Sequence, residues 1–212
     1  MSKKKISLIL NIFIAAAVFI SWGMMFFDVE SGSLSSSGLS SLKYFTVLSN
    51  LLCGAASIIY LCTGRSSAPK WVQTLKFVAA VAVGLTFVVI AFFLGPIYGH
   101  ASMYRGANLW MHLIVPVAAI VDLCLFDEHE PIRFKTTFIA VIPMLIYGIA
   151  YSLNLLINGV GVWPDTNDWY GFMNWGIGGA VIVFVGIAFV TWLIAVLLRR
   201  LSSHRETESA VV

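Results

Sequence analysis

Six apolar runs of about 20 residues set the limits on this chain, since each can cross a hydrocarbon core at about 1.5 Å per helical residue. They lie near 6–27, 44–63, 72–95, 108–126, 134–157 and 174–198. Inside a bilayer the backbone has no water to bond, so each run must close its own hydrogen bonds as an α-helix. With 59% hydrophobic and 11% charged residues, too little polar surface is left to cover a soluble domain. The expected fold is all-α: a polytopic membrane protein with six transmembrane helices in a single domain over 1–198. A polar, disordered cytoplasmic tail over 199–212 is expected to follow.

Basic residues orient the spans. Lys3, Lys4, Lys5, Arg65, Lys70, Lys76, Arg133, Lys135, Arg199, Arg200 and Arg205 fall on one side of the expected topology, and only Lys43 and Arg105 on the other. The positive-inside rule then puts both termini in the cytoplasm, with the plasma membrane as the location. The formal charge of +3 reads as a topology signal, with lipid headgroups rather than nucleic acid as the anionic neighbour. Lys3–Lys5 ahead of an apolar run resemble a secretion signal, but the run continues to Phe27, too long for a signal core, and reads as a retained anchor. Trp22, Trp110, Trp163, Trp169 and Trp175 fall at the outer interface, Trp71 and Trp192 at the inner one.

The segments between spans carry less. Asp28–Ser41 is Ser- and Gly-rich and reads as a mobile loop or short cover, whereas Asn158–Met173 mixes aromatic and hydrogen-bonding residues in the manner of a lid. Asp127-Glu-His-Glu130 reads as helix-end solvation and capping beside Pro131, not as a metal site. Cys53, Cys62 and Cys124, odd in number and without C-x-x-C spacing, read as buried free thiols. No metal or organic cofactor is expected.

Unpaired polar groups are expensive in a membrane, so the polar side chains within the spans are where function is sought. They are Thr46, Ser49 and Asn50 on the second helix, Asn108, His112 and Asp122 on the fourth, and Tyr147, Tyr151 and Asn154 on the fifth, with Asn174 beginning the sixth. Thr46 and Asn50 lie four apart and share a helix face, as do Asn108, His112 and Pro116. Both of these helices run outside to inside, which places Thr46 and His112 at one depth, on the order of 5–8 Å below the outer edge of the apolar zone.

A threonine hydroxyl needs a base to act as a nucleophile, and His112 is the intramembrane candidate at matching depth. Asn50, Asn108, Asn154, Asn174, Tyr147 and Tyr151 are candidates to orient the imidazole or to donate to an oxyanion. Asp122 reads as a paired or solvated group near the inner interface. The spacing alone favours Thr46 and His112 as hydrogen-bonding glue between helices over a catalytic pair. A small transporter or channel, or a non-catalytic lipid-binding sensor, are the alternatives from other classes.

Lys43-Tyr-Phe-Thr-Val-Leu-Ser-Asn-Leu51, then His112-Leu-Ile-Val-Pro116 and Asp122 ahead of Leu125-Phe126, resemble the androgen-induced-gene-product and androgen-dependent TFPI-regulating protein family and its six-helix bacterial relatives. Pro143-Met-Leu-Ile-Tyr147 with Tyr151, and Gly161-Val-Trp-Pro164, add a partial match. The resemblance implies an intramembrane hydrolase that cleaves fatty acid esters of hydroxy fatty acids, with Thr46 as nucleophile and His112 as base. The implied partner is a membrane lipid or lipid-like ester.

Overall fold

A helix whose apolar residues face every direction can satisfy them only against other helices and lipid. The computed structural model describes residues 2–28, 36–63, 68–162 and 166–209, with 204–209 as backbone alone. Among them, six helices are long and apolar enough to cross a membrane: α1 (Lys3–Phe26), α2 (Phe45–Thr63), α3 (Lys70–Tyr98), α4 (Ala107–Phe126), α5 (Thr136–Asn158) and α6 (Phe172–Ser203). No strand forms among the described residues. This is the architecture of a multi-pass membrane protein, and each expected run supplies one helix. Trp163, Pro164 and residues 29–35 of the Ser-rich first loop lie outside the described residues.

α3 is the centre of the bundle, with 61% of its apolar stretch buried against 28% for α5 and 17% for α6. It serves two cores. Ala79 and Val83 pack with Ile14 and Val18 of α1, Cys53 and Ala56 of α2 and Val115 and Ala119 of α4, while Phe77, Ala80 and Val81 pack with Leu123 of α4, Ala140 of α5 and Ala195 and Leu198 of α6. The alanines of α3 let neighbouring backbones approach closely, which is how apolar helices associate when lipid competes for the same contacts.

The α5–α6 contact uses the same device. A Cβ on Gly148 would stand 1.9 Å from the Phe184 ring. Gly148→Ala is therefore expected to force that ring out of its place and lower stability by about 1–3 kcal/mol, measured by thermal unfolding in detergent.

The last helix continues to Ser209, so the segment from Arg199, expected as a disordered tail, starts as helix. Leu198 is buried, Arg199 Nε donates to the Ile132 carbonyl at 2.7 Å, and Ser202 and Ser203 donate to the Arg199 carbonyl at 3.1 and 2.8 Å. Cys62 is exposed on the bundle surface, unlike buried Cys53 and Cys124.

Among the described residues three helical turns are closed i→i+5 instead of i→i+4, at Ile90–Leu94, Trp110–Ile114 and Asp122–Phe126. Such π turns leave a carbonyl of the ladder free for other partners. Two of them organise the polar groups described next.

Candidate functional site

Proline at 116 has no N–H to give, and the turn ahead of it slips. The Val115 N–H reaches back to the Trp110 carbonyl, not to Met111. The freed Met111 carbonyl is taken by the Asn50 side chain of α2, whose Nδ2 donates to it at 3.0 Å and to the Thr46 carbonyl at 2.8 Å. One fully buried amide thus bridges the backbone of α2 at Thr46 to that of α4 beside His112.

His112 is 6% exposed, and its Nδ1 lies 2.7 Å from the Met103 carbonyl. A carbonyl can only accept, so Nδ1 carries the hydrogen, and in the neutral ring Nε2 keeps its lone pair. Met103 ends the short helix His100–Met103, and Gly106 turns the chain between it and α4 with φ 55°, a conformation that a side chain disfavours. Among the described residues the Thr46 hydroxyl, partly buried, makes no hydrogen bond, and none joins it directly to His112. The bundle therefore brings the two helices together at this level with the nucleophile candidate unspent.

The other candidates divide. Asn50 has committed Nδ2 to two carbonyls and cannot donate to an oxyanion, while its Oδ1 is buried with no donor. Asn108 is buried. Tyr147 donates to the Lys43 carbonyl at 2.6 Å and accepts from Trp169 Nε1 at 3.1 Å, and Tyr151 donates to Asp168. Neither tyrosine touches the imidazole nitrogen bound by Met103, so the orientation expected of them is supplied by a backbone carbonyl. Asn154 keeps a buried Nδ2 without partner one turn beyond Tyr151, and Asn174 is exposed at the start of α6.

These tyrosines instead build a cover. Tyr147, Tyr151, Trp169, Tyr170 and Phe172 pack ring against ring, and Tyr147 meets Phe45 at 5.3 Å between centroids. The Tyr170 hydroxyl accepts the Phe45 N–H at 3.0 Å, capping α2 one residue before Thr46. Asp168 accepts the N–H groups of Phe172 and Met173 at 2.9 and 2.8 Å and so holds the loop onto the start of α6. Burial pushes the Tyr170 hydroxyl well above its usual range. Trp169, read as an interfacial anchor, is a working part of this cover.

Tyr170→Phe is expected to leave the Phe45 N–H without its partner. Stability should fall by about 1–3 kcal/mol, and amide exchange should quicken at the first turn of α2 ahead of the rest of that helix.

A second polar group lies toward the end of the bundle that holds Lys3 and Arg199. The π turn at Asp122–Phe126 gives the Asp127 N–H to the Asp122 carbonyl at 2.7 Å and brings both carboxylates onto one cation. Lys76 Nζ is 2.8 Å from Asp122 Oδ2 and 3.0 Å from Asp127 Oδ2, and sits 3.7 Å from the centre of the Tyr60 ring. Asn11 Nδ2 donates to Asp122 Oδ2 at 2.7 Å and to the Ser7 carbonyl at 2.8 Å. Asp122 is thus paired, as expected. Asp127, expected as a solvated helix end, turns inward and is 7% exposed, because the slipped turn aims it at Lys76. Lys76, counted among the topology-setting basic residues, is 8% exposed inside the bundle. Among the described residues no group of three or more His, Cys, Asp or Glu forms a metal site.

In comparisons with known proteins, the chain matches no family model, no curated protein and no solved structure. The resemblance carried by Thr46 and His112 is accordingly a basis for a proposal rather than an assignment.

Proposed function

We propose that the chain is an intramembrane hydrolase of lipid or fatty-acid esters, fatty acid esters of hydroxy fatty acids among them, with Thr46 as nucleophile and His112 as base. The observation that carries this reading is the Met103 carbonyl on His112 Nδ1, which leaves Nε2 as the basic nitrogen on a helix tied by Asn50 to the backbone of Thr46. The Thr46 oxygen attacks the ester carbonyl as Nε2 takes its proton, and Nε2 returns that proton to the departing alkoxide. Water, deprotonated by the same nitrogen, then attacks the acyl-threonine and releases the carboxylic acid and the free hydroxyl. No step requires a cofactor. Lys and Arg placement supports a plasma-membrane protein with both termini cytoplasmic, which sets Thr46, His112 and the aromatic cover toward the outer leaflet, where an amphiphile carries its ester. Purified protein is expected to react with a fluorophosphonate probe at Thr46 and to hydrolyse long-chain esters. No modification at Thr46 and no hydrolysis across acyl chain lengths would remove the proposal.

One observation favours a second reading, an ion-coupled carrier: Lys76, Asp122 and Asp127 are charged groups inside the bundle, which membrane proteins keep at a cost and use along ion paths. Solute flux into proteoliposomes that survives Thr46→Ala and His112→Ala and disappears with Asp122→Asn would select it over the hydrolase.

A further inference from the structure

Pro96 does to α3 what Pro116 does to α4. It has no N–H to return, and the turn ahead of it closes from the Gly95 N–H to the Ile90 carbonyl, so the Ala91 carbonyl is left without a helical partner. In α4 the freed carbonyl is taken by Asn50 of another helix; in α3 it is taken by His100, whose Nε2 lies 3.0 Å from it. A carbonyl only accepts, so Nε2 carries the hydrogen of this bond. The ring lies where Gly95 leaves room for it, since a Cβ there would stand 2.6 Å from His100 Cδ2 and 2.7 Å from Nε2.

His100 also opens the helix His100–Met103, and the carbonyl at the end of that helix is the one that His112 Nδ1 binds at 2.7 Å. A helix of a single turn fixes several backbone angles for very few hydrogen bonds and does not hold itself in place. This one is fixed at two points. The Met103 side chain, 1% exposed, seats its far end in the bundle, and the exposed His100 side chain ties its near end to α3 nine residues back. The Tyr104 ring stacks on His100 at 6.1 Å between centroids. One anchor leaves such a turn free to pivot, whereas two set the direction in which the Met103 carbonyl points.

We propose that His100 is a positioning residue for His112: by clamping the His100–Met103 turn to the Ala91 carbonyl it aims the Met103 carbonyl at Nδ1 and keeps His112 in the tautomer with its lone pair on Nε2. The consequence for turnover rests on the hydrolase reading; the tautomer does not. The test is ring-nitrogen NMR of the purified full chain, labelled with ¹⁵N-histidine in detergent at neutral pH, read beside ester hydrolysis. The His112 signals are identified by their loss in His112→Ala. The parent is expected to show a protonated Nδ1 and an unprotonated Nε2 at His112. His100→Ala is expected to stay folded, to average the His112 signals between the two tautomers, and to lower kcat by up to about 10²-fold at unchanged KM, because a misplaced base is felt in the transition state and not in substrate binding. His100→Gln, whose amide can donate to the same carbonyl, is expected to restore both. An unchanged His112 pattern in His100→Ala overturns the proposal whatever happens to hydrolysis. So does an Ala variant that fails to fold, or a Gln variant that behaves like the Ala variant, since the side chain then serves packing and not the donated bond. A changed pattern restored by Gln, in a parent that hydrolyses no ester, removes the hydrolase reading and leaves the positioning role standing.

Discussion

Thr46→Ala is expected to reduce ester hydrolysis by about three orders of magnitude or more and to abolish covalent labelling, because no second hydroxyl takes the place of a lost nucleophile. His112→Ala should cost about 10²–10⁴-fold, the usual worth of a positioned general base. Thr46 is the more informative of the two. Its hydroxyl bonds nothing among the described residues, so its removal should shift Tm little, and a large kinetic loss at unchanged stability separates catalysis from helix packing. Thr46→Ser keeps the oxygen and should retain measurable turnover. If the Ala variant melts well below the parent and hydrolysis is unaltered, Thr46 is packing glue and the reaction, if any, lies elsewhere.

Asn50 and Pro116 show how far a linear reading reaches into such a site. The four-residue spacings placed Thr46 with Asn50 and His112 with Pro116, and the length of the apolar runs was enough to set six helices and the common depth of Thr46 and His112. The consequence of Pro116 was not visible, because a π slip follows from which carbonyls find partners on another helix, and that partner is Asn50, sixty-one residues earlier than Met111. The Met103 carbonyl was equally hidden, since backbone acceptors carry no residue signature. Lys76 was visible as a letter but misplaced. A basic residue a turn or two inside an apolar run reads as a helix end, and only the folding of Asp127 back through its own π turn makes it a buried cation with two anions. Asn11, an amide inside the first apolar run, was with Ser7 and Ser57 an overlooked signal that this part of the bundle is polar.

The largest stability effect should come from Lys76→Met. It keeps most of the side-chain volume against the Tyr60 ring but leaves Asp122 and Asp127 facing each other inside the bundle with no cation between them. Breaking a buried pair by removing one partner costs about 3–5 kcal/mol, and here two anions are left behind, so the upper part of that range is expected for unfolding in detergent. Asp122→Asn should cost less than Lys76→Met, because Lys76 keeps Asp127, but more than Asp127→Asn, because Asp122 also anchors Asn11 and through it α1. The ordering tests the cause. If charge compensation governs the cluster, Lys76→Met combined with Asp122→Asn and Asp127→Asn melts above Lys76→Met alone, since replacing every ion of a buried group by neutral residues is often close to neutral in energy. If the triple variant is instead the least stable of the set, the contacts are additive packing contributions and charge has no special part in holding α1, α3 and α4 together.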